Sequence, residues 1–379
     1  MLKYEIKHKT EYTFLGLFTG AGGLDLGFEL EGFHHTESNE ILDYAVNTLE
    51  FNRPDWNIVH DDVRNYTPSF KKGLDVLLAG FPCQGFSLGG NRNENDERNT
   101  LYKEVIRIAD YMKPRVIVME NVLNLRTMKF PETGKPFAQQ ISDELSAIGY
   151  TTKFDFFRVS QHGVPQTRRR FIFIAYKVGS LNHFRFPIPK KDTSIRDFIF
   201  ELGQNSKIEL PNHNPEWGFK SHVHTETGES FDINEIAIPI RLSRTASEGN
   251  PIRNFDTPFP AIDTATVWGW AKGNVTAKRI EKNRENSKFV RNPNSKAKLW
   301  RINASQIRSF TAREYARLQT FPDDWIFYGK SKRELQLQIG NAVPVIFAKT
   351  IASTVRQALE VLDGKKKVEI EEGEQILLF

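Results

Sequence analysis

Short runs of strand-forming residues, bounded by glycines or polar residues, recur through the first half of the chain. They occupy residues 14–18, 33–37, 56–63, 74–79, 115–119, 154–159 and 171–175. Between several of them, apolar residues recur every three or four positions and predict helices, most clearly over 101–112 and 137–148. Strands that alternate with helices in this way predict an α/β fold with a largely parallel sheet.

The pattern changes after Pro187. Residues 190–305 are polar, with short apolar runs and no regular alternation of strands and helices. Beyond them, Thr311 followed by Glu314 has the spacing of a capping box and predicts the start of a helix. We therefore predict two domains and a tail: a first domain from 1–186 and 326–362, a second from 187–325, and a C-terminal tail from 363–379.

Charge is concentrated in one segment. The chain has a net charge of +5, whereas residues 271–300 alone hold nine basic side chains against Glu281 and Glu285. A basic cluster of this density favours a polyanionic partner such as nucleic acid, although a solvated surface is the simpler alternative.

Cysteine content and hydrophobicity indicate the compartment. Cys83 is the only cysteine, so no intrachain disulfide can form, which is typical of a reducing environment. No apolar run approaches the length of a membrane span, and the first residues lack the apolar core of a signal peptide. We expect a cytoplasmic protein, nucleoid-associated when bound to DNA, without membrane contact.

Cys83 is also the strongest candidate for chemistry. It follows the strand 74–79 on a turn that contains Pro82 and Gly85, and a polar glycine-led stretch, 89–99, comes next. Open α/β sheets bind ligands at the carboxyl ends of their strands, so a thiol here suits covalent catalysis. Taken alone, a lone cysteine is more often an inert buried residue.

Other polar groups follow the predicted strands. Glycines 20, 22 and 23 allow a tight turn and close approach to a ligand, but Asp25 interrupts the dinucleotide fingerprint and argues against a nicotinamide dehydrogenase. An acid at a strand end, as predicted for Glu37, can accept hydrogen bonds from ribose hydroxyls, or it is an exposed carboxylate. Glu120 ends another strand, where it can face the same cleft or be solvated.

Two arginines follow the same logic. Arg168 and Arg170 alternate, so they share one face if the segment is a strand, and paired guanidinium groups can hold a carbonyl or a phosphate. A solvated basic turn is the alternative.

Six stretches in order resemble the motifs of the DNA (cytosine-5) methyltransferases. They are Phe18-x-Gly-x-Gly-Gly23, Pro82-Cys83-Gln84, Glu120-Asn-Val122, Gln166-x-Arg-x-Arg170, the 308–322 helix and Gln338-Ile-Gly-Asn-Ala-Val-Pro344. The resemblance implies a Rossmann-like, S-adenosylmethionine (SAM)-dependent fold: a mostly parallel sheet with one antiparallel strand, and a smaller, loop-rich target-recognition domain. The first domain would bind SAM and the second would read DNA.

The resemblance also implies roles for individual residues. The catalytic group would comprise Cys83, Glu120, Arg168 and Arg170. Cofactor contacts would come from Phe18, Gly20, Ala21, Gly22, Gly23, Leu24, Glu37, Ser38, Asp62, Val63, Pro82, Leu101, Asn341 and Ala342. Candidate DNA contacts are Gln84, Ser87, Arg98, Trp268, Trp270, Lys272, Lys278 and Arg279, although Trp268 and Trp270 fit an aromatic core corner equally well.

The implied reaction is methylation of carbon 5 of a cytosine that has been flipped out of double-stranded DNA, with S-adenosylhomocysteine (SAH) as the product. By resemblance the chain looks like a bacterial restriction–modification enzyme that acts as a monomer and needs no metal. A cognate restriction endonuclease would belong to the same system without binding the methyltransferase directly. Two rival functions remain: an RNA methyltransferase of the same superfamily, which the long 187–305 insertion disfavours, and a non-catalytic DNA-binding regulator, which intact Cys83 and Glu120 disfavour.

Overall fold

The computed structural model describes most of the chain and divides it into two compact units. It describes residues 1–6, 8–70, 73–82, 100–130, 133–177, 184–205, 207–216, 229–231, 237–241, 253–262, 267–272, 275–283, 296–304 and 306–367. The larger unit comprises Tyr4–His162, Arg169–Lys191 and Ala342–Phe379, and the smaller comprises Met1–Lys3, Gly163–Arg168 and Asp192–Asn341. This division differs from the predicted domains chiefly at 163–168 and 326–341, which pack within the smaller unit.

A seven-stranded sheet forms the centre of the larger unit. Its strands are β1 Thr13–Leu17, β2 His34–Glu40, β3 Ile58–His60, β4 Val76–Ala79, β5 Val116–Asn121, β6 Tyr150–Arg158 and β7 Arg169–Lys177. The order is β3-β2-β1-β4-β5-β7-β6, and β7 runs antiparallel to both of its neighbours while the other pairs are parallel. The predicted fold, a mostly parallel Rossmann-like sheet with one antiparallel strand, is confirmed.

Helices flank this sheet. In the larger unit they are α1 Gly23–Leu30, α2 Asp43–Asn52, α3 Tyr102–Met112, α4 Phe137–Ala147 and, near the C-terminus, α8 Val345–Leu362. The long helix α8 packs against α1, and glycines make this approach possible: a Cβ on Gly23 would lie 2.2 Å from the Val343 carbonyl oxygen, and one on Gly27 would lie 2.3 Å from the Ala348 Cβ. Strand residues such as Leu77 and Ile117 are fully buried, as expected of a sheet covered on both faces.

Within the described ranges, the smaller unit contains two antiparallel three-stranded sheets and three helices. The strands are β8 Glu229–Phe231, β9 Ile238–Arg241, β10 Trp268–Lys272, β11 Val275–Asn283, β12 Lys296–Asn303 and β13 Gln306–Ser309, in the orders β13-β10-β9 and β12-β11-β8. The helices are α5 Arg196–Gln204, α6 Ala312–Leu318 and α7 Lys332–Asn341. The predicted capping box is confirmed, because the Thr311 side chain accepts from the Glu314 amide and the Glu314 carboxylate accepts from the Thr311 amide at 2.8 Å. None of the helices in the described ranges is long and apolar enough to cross a membrane.

Candidate active site

The carboxyl ends of four neighbouring parallel strands meet along one edge of the large sheet. β2 ends at Glu40, β1 at Leu17, β4 at Ala79 and β5 at Asn121. Open α/β sheets bind ligands at this edge, and the polar motifs of the first domain begin here. The sheet topology therefore brings the candidate cofactor and catalytic segments of the larger unit to one edge.

The segment that leads into the candidate nucleophile is anchored to the neighbouring strand. Asn121 Nδ2, at the end of β5, donates to the Phe81 carbonyl oxygen at 3.2 Å, and the Gly80 amide donates to the carbonyl of Leu17 at 3.4 Å. Four of the predicted site residues lie just beyond this anchor and outside the described residues: Cys83, Gln84, Ser87 and Arg98.

Glu120 and Arg170 form a largely buried ion pair beside this segment. Arg170 Nε lies 2.5 Å from Glu120 Oε1, and the two side chains are 14% and 10% exposed. Burial raises the pKa of the Glu120 carboxyl above its ordinary value, even though the Arg170 guanidinium acts in the opposite direction. The raised pKa favours the protonated form relative to an exposed glutamate, and a protonated carboxyl can donate to a ring nitrogen.

Arg168 has a different role from the one predicted. It precedes β7, so strand alternation does not place it beside Arg170. Its guanidinium is buried in the smaller unit, where Nη1 donates to the carbonyls of Ile262 at 3.0 Å and Gly340 at 2.8 Å, and Nη2 donates to that of Asn341 at 3.4 Å. These bonds anchor backbone, so the predicted catalytic role of Arg168 is corrected to a structural one.

Gln166 is likewise used for structure. Its amide nitrogen donates to the Leu318 carbonyl at 2.5 Å and to Gln319 Oε1 at 2.9 Å, and its oxygen accepts from the Ile262 amide at 3.0 Å. Of the three polar residues in this motif, Arg170 alone lies in the sheet next to Glu120.

The glycine turn after β1 has the geometry of a ligand cradle. Phe18, Gly20 and Gly22 all have positive φ angles, of 55°, 56° and 83°. A Cβ on Gly20 would meet nothing within 4 Å, so its backbone faces open space. Ala21 and Leu24 are buried, and their contribution to this turn is through packing.

The prediction that β2 ends at Glu37 is wrong, because the strand continues to Glu40. Glu37 is buried inside the strand, where its carboxylate accepts from Tyr66 Oη at 2.5 Å, from the amide and hydroxyl of Ser69, and from Asn57 Nδ2 at 3.2 Å. These donors occupy the roughly four acceptor positions of a carboxylate, so Glu37 is not available to a ribose.

Ser38 is corrected in the same way. It is fully buried, and its hydroxyl donates to Asp25 Oδ1 at 2.9 Å and lies 2.8 Å from His35 Nε2. It therefore cannot lie against an adenine. Burial raises the pKa of Asp25 to about 7.

Glu40 is the acid that sequence reasoning missed. Its carboxylate accepts from the Gly20 amide at 2.6 Å and from the Ile41 and Leu42 amides at 2.9 Å each, which leaves acceptor capacity for a further donor. Burial raises its pKa, although these three amides oppose the shift. The neighbouring Ile41 side chain is 54% exposed, an apolar surface at the strand end. Its place in the sequence could have identified it, because Glu40 ends β2 shortly before helix α2 begins at Asp43.

The other predicted cofactor residues are placed as follows. Asp62 follows β3, and its carboxylate accepts from the Arg64 side chain at 2.6 Å, which together with the Arg64 amide lowers its pKa. Val63 is buried, whereas Pro82 and Leu101 are half-buried. Asn341 ends α7 in the smaller unit, and Ala342 begins the segment that leads to α8 in the larger one.

Both tryptophans proposed to contact DNA belong to the core of the smaller unit. Trp270 is fully buried and its indole N–H donates to Glu314 Oε1 at 2.7 Å, while Trp268 is 3% exposed and packs edge-on against Phe259. The predicted DNA-contact role of both is wrong, and the core-corner alternative is correct. Lys272 is half-buried at the end of β10, and Lys278 and Arg279 lie in β11.

This edge of the larger unit fits an adenosyl group. Gly20 offers unobstructed backbone, Glu40 a carboxylate able to accept from a ribose diol, and Ile41 an exposed apolar face. Asp62 lies beyond the end of β3, where both of its carboxylate oxygens accept from Arg64, so a hydrogen bond from an exocyclic amine requires the Arg64 side chain to give way. SAM carries an adenosyl group of this kind.

Comparison with known proteins identifies the family. The family model for C-5 cytosine-specific DNA methylases matches residues 12–357. The chain is 31% identical to the type II methyltransferase M1.HphI of Haemophilus parahaemolyticus, over 90% of this chain and 86% of that protein. It is 29% identical to M.NgoMIV of Neisseria gonorrhoeae, over 92% and 99%. Among solved structures, a candidate DNA modification methyltransferase from an Escherichia coli prophage has a TM-score of 0.61 at 21% identity, over 92% of this chain and all of that one. The chain therefore belongs to the C-5 cytosine-specific DNA methylase family.

Proposed function

We propose that this chain transfers the methyl group of SAM to carbon 5 of a cytosine within a specific double-stranded DNA sequence. The observation that carries the proposal is the buried Glu120–Arg170 pair at the carboxyl edge of the sheet, one strand away from the segment that leads into Cys83. A nucleophile and an acidic group that follow adjacent strands are the two groups that activation of a cytosine ring requires.

The chemistry assigned to these residues begins with addition of the Cys83 thiolate to carbon 6 of the cytosine. As this carbon–sulfur bond forms, the π electrons of the 5,6 double bond shift to the bond between carbons 5 and 4, and those of the 4,3 double bond shift onto nitrogen 3, to which Glu120 donates a proton. Arg170 orients Glu120 and is available to the ring carbonyl oxygen. SAM, when bound, would supply an electrophilic methyl group for carbon 5 and be released as SAH. A base then removes the proton from carbon 5, the 5,6 double bond re-forms as the sulfur of Cys83 leaves, and the ring nitrogen returns its proton to Glu120.

The cofactor is assigned to the glycine turn and the ends of β2 and β3. Gly20 and Gly22 would approach its methionine end, Glu40 would accept from the ribose hydroxyls, and Ile41 and Val63 would pack on the adenine. Asp62 would accept from the adenine amino group. The support is the open space at Gly20 and the free acceptor capacity of Glu40.

The substrate must present an unstacked base, because the thiolate attacks perpendicular to the ring. We assign the phosphate contacts to the basic segment 271–300, whose positive charge suits a polyanion. Several relatives are type II methyltransferases, so we propose that the protein acts as a monomer in the cytoplasm and protects host DNA from a cognate endonuclease.

Methylation of plasmid DNA by purified protein and SAM, read by bisulfite sequencing, tests this proposal. We expect protected cytosines at one short recurring sequence, and no protection by Cys83→Ala even though that variant still binds SAM and DNA. Protected cytosines produced by Cys83→Ala would refute the covalent route. A wild-type protein that binds SAM but protects no cytosine would refute the DNA substrate.

A further inference from the structure

Glu37, although it lies inside β2, binds a stretch of chain about 30 residues further along the sequence. Its carboxylate accepts from Tyr66 Oη at 2.5 Å, from the Ser69 amide at 3.2 and 3.3 Å, and from the Ser69 hydroxyl. Glu37 and Tyr66 are both buried, and burial beside this carboxylate raises the pKa of the Tyr66 phenol. In a buried setting such bonds fix geometry, because a donor left without its acceptor is costly.

Arg107 of α3 holds the same stretch from another direction. Its Nη2 donates to the backbone carbonyls of Val63 and Tyr66, both at 2.9 Å, and its Nε donates to Glu104 at 2.6 Å. One guanidinium therefore fixes two carbonyls three residues apart. We refer to residues 61–70, which Glu37 and Arg107 hold together, as the adenine segment.

Within the adenine segment, backbone hydrogen bonds form local turns, from the Asn65 amide to the Asp62 carbonyl and from the Tyr66 amide to the Val63 carbonyl, but the ladder with β2 does not extend into it. The strand before it, β3, is three residues long, lies at the edge of the sheet and pairs with β2 only as far as His60. The Asn39 side-chain amide also donates to the Asp61 carbonyl at 2.8 Å, at the start of the segment. The side-chain bonds from Glu37 and Arg107 hold the part that follows and thus help to determine where Asp62 and Val63 lie.

We infer that Glu37 and Arg107 are positioning residues that set the preference of the site for adenine in the cofactor. The inference rests on the proposed function, in which Asp62 accepts from the adenine amino group. A displaced adenine segment would lose this hydrogen bond, whereas Glu40 and the glycine turn, which belong to other elements, would keep their contacts with the ribose and the methionine end.

The test is calorimetric binding of two ligands that differ only at this position: SAH, and its hypoxanthine analogue S-inosylhomocysteine, in which a carbonyl replaces the amino group. We expect the wild-type protein to prefer SAH by about tenfold or more. Glu37→Gln presents an amide N–H to donors that need an acceptor, and Arg107→Gln releases both carbonyls. Each should reduce the preference to about twofold by weakening SAH binding. The matched control is Glu31→Gln, since Glu31 is a buried acid of the same unit that accepts from Arg356 at 3.0 Å.

The control should keep the wild-type preference even if its melting temperature falls. If Glu37→Gln does not fold, Tyr66→Phe, which removes one hydroxyl, should still lower the preference about threefold. A folded Glu37→Gln or Tyr66→Phe variant that keeps the wild-type preference for SAH would overturn the inference. A loss of preference in Glu31→Gln as large as that in Glu37→Gln would overturn it as well. A wild-type protein that binds SAH without preference overturns the inference and the Asp62 contact on which it rests but leaves the methyl-transfer proposal standing, whereas one that binds neither ligand overturns the proposed function.

Discussion

Replacing Arg168 by alanine should destabilise the smaller unit instead of disabling the chemistry. The substitution removes two well-formed hydrogen bonds, to the carbonyls of Ile262 at 3.0 Å and Gly340 at 2.8 Å, and a longer one to Asn341. A buried bond from a charged donor contributes about 1.5–3 kcal/mol, so the loss should be roughly 3–6 kcal/mol. Lysine should rescue little, because a single ammonium cannot reproduce the fork of a guanidinium.

Urea unfolding followed by tryptophan fluorescence measures this loss. Five of the six tryptophans fall within residues 192–341, so the signal reports chiefly on the smaller unit. The comparison is Arg170→Ala, which removes the partner of Glu120 at 2.5 Å. Because Arg170 lies in the larger unit, that variant should keep the midpoint of the smaller unit's fluorescence transition near the wild-type value and lose about 100-fold or more in single-turnover methylation. Arg168→Ala with the wild-type midpoint and no turnover would refute the assignment and restore Arg168 to the chemistry.

Three further predictions concern single residues. Glu40→Gln should raise the KM for SAM about 10- to 100-fold with little change in DNA affinity, and an unchanged KM would contradict the ribose assignment. Burial raises the pKa of Asp25 to about 7, so the folded protein binds a proton more tightly than the unfolded chain between about pH 4 and pH 7. The contribution of Asp25 to stability is therefore fully present below pH 4 and is lost as the pH rises through 7. Asp25→Asn should therefore reduce the fall in unfolding free energy between about pH 4 and pH 7. The same pH dependence in Asp25→Asn and in the wild-type protein would show that Asp25 is not the group responsible. Trp270→Ala should cost about 3–5 kcal/mol of stability, measured by urea unfolding, and leave the methylated sequence unchanged in bisulfite reads; a changed target sequence would return Trp270 to base readout.

The sequence predicted the sheet well because its strands carry continuous apolar runs. Val76–Ala79 and Val116–Met119 are fully buried, and burial on both faces produces such runs. The β2 strand was misjudged because its sequence, His34–Glu40, has no apolar residue at all. Its buried positions are instead satisfied by hydrogen bonds from distant residues, which no local pattern reveals.

The remaining errors also concern contacts between distant parts of the chain. Arg168 alternates with Arg170 in sequence, but strand geometry begins only at Arg169, and the carbonyls that Arg168 binds come from residues 262, 340 and 341. For Trp270, composition cannot separate an aromatic core from a recognition loop, and the choice depends on the buried Glu314 acceptor 44 residues away.

Trapping of the covalent enzyme–DNA adduct tests the central claim most directly. DNA that carries 5-fluorocytosine at the methylated position accepts the thiolate and the methyl group, but fluorine cannot leave as a proton does, so the carbon–sulfur bond persists. With SAM present, we expect a complex that survives denaturing electrophoresis, whose DNA-linked peptide contains Cys83 and which Cys83→Ala does not form. Methylation of normal DNA without any such adduct, or an adduct that persists in Cys83→Ala, would contradict the mechanism.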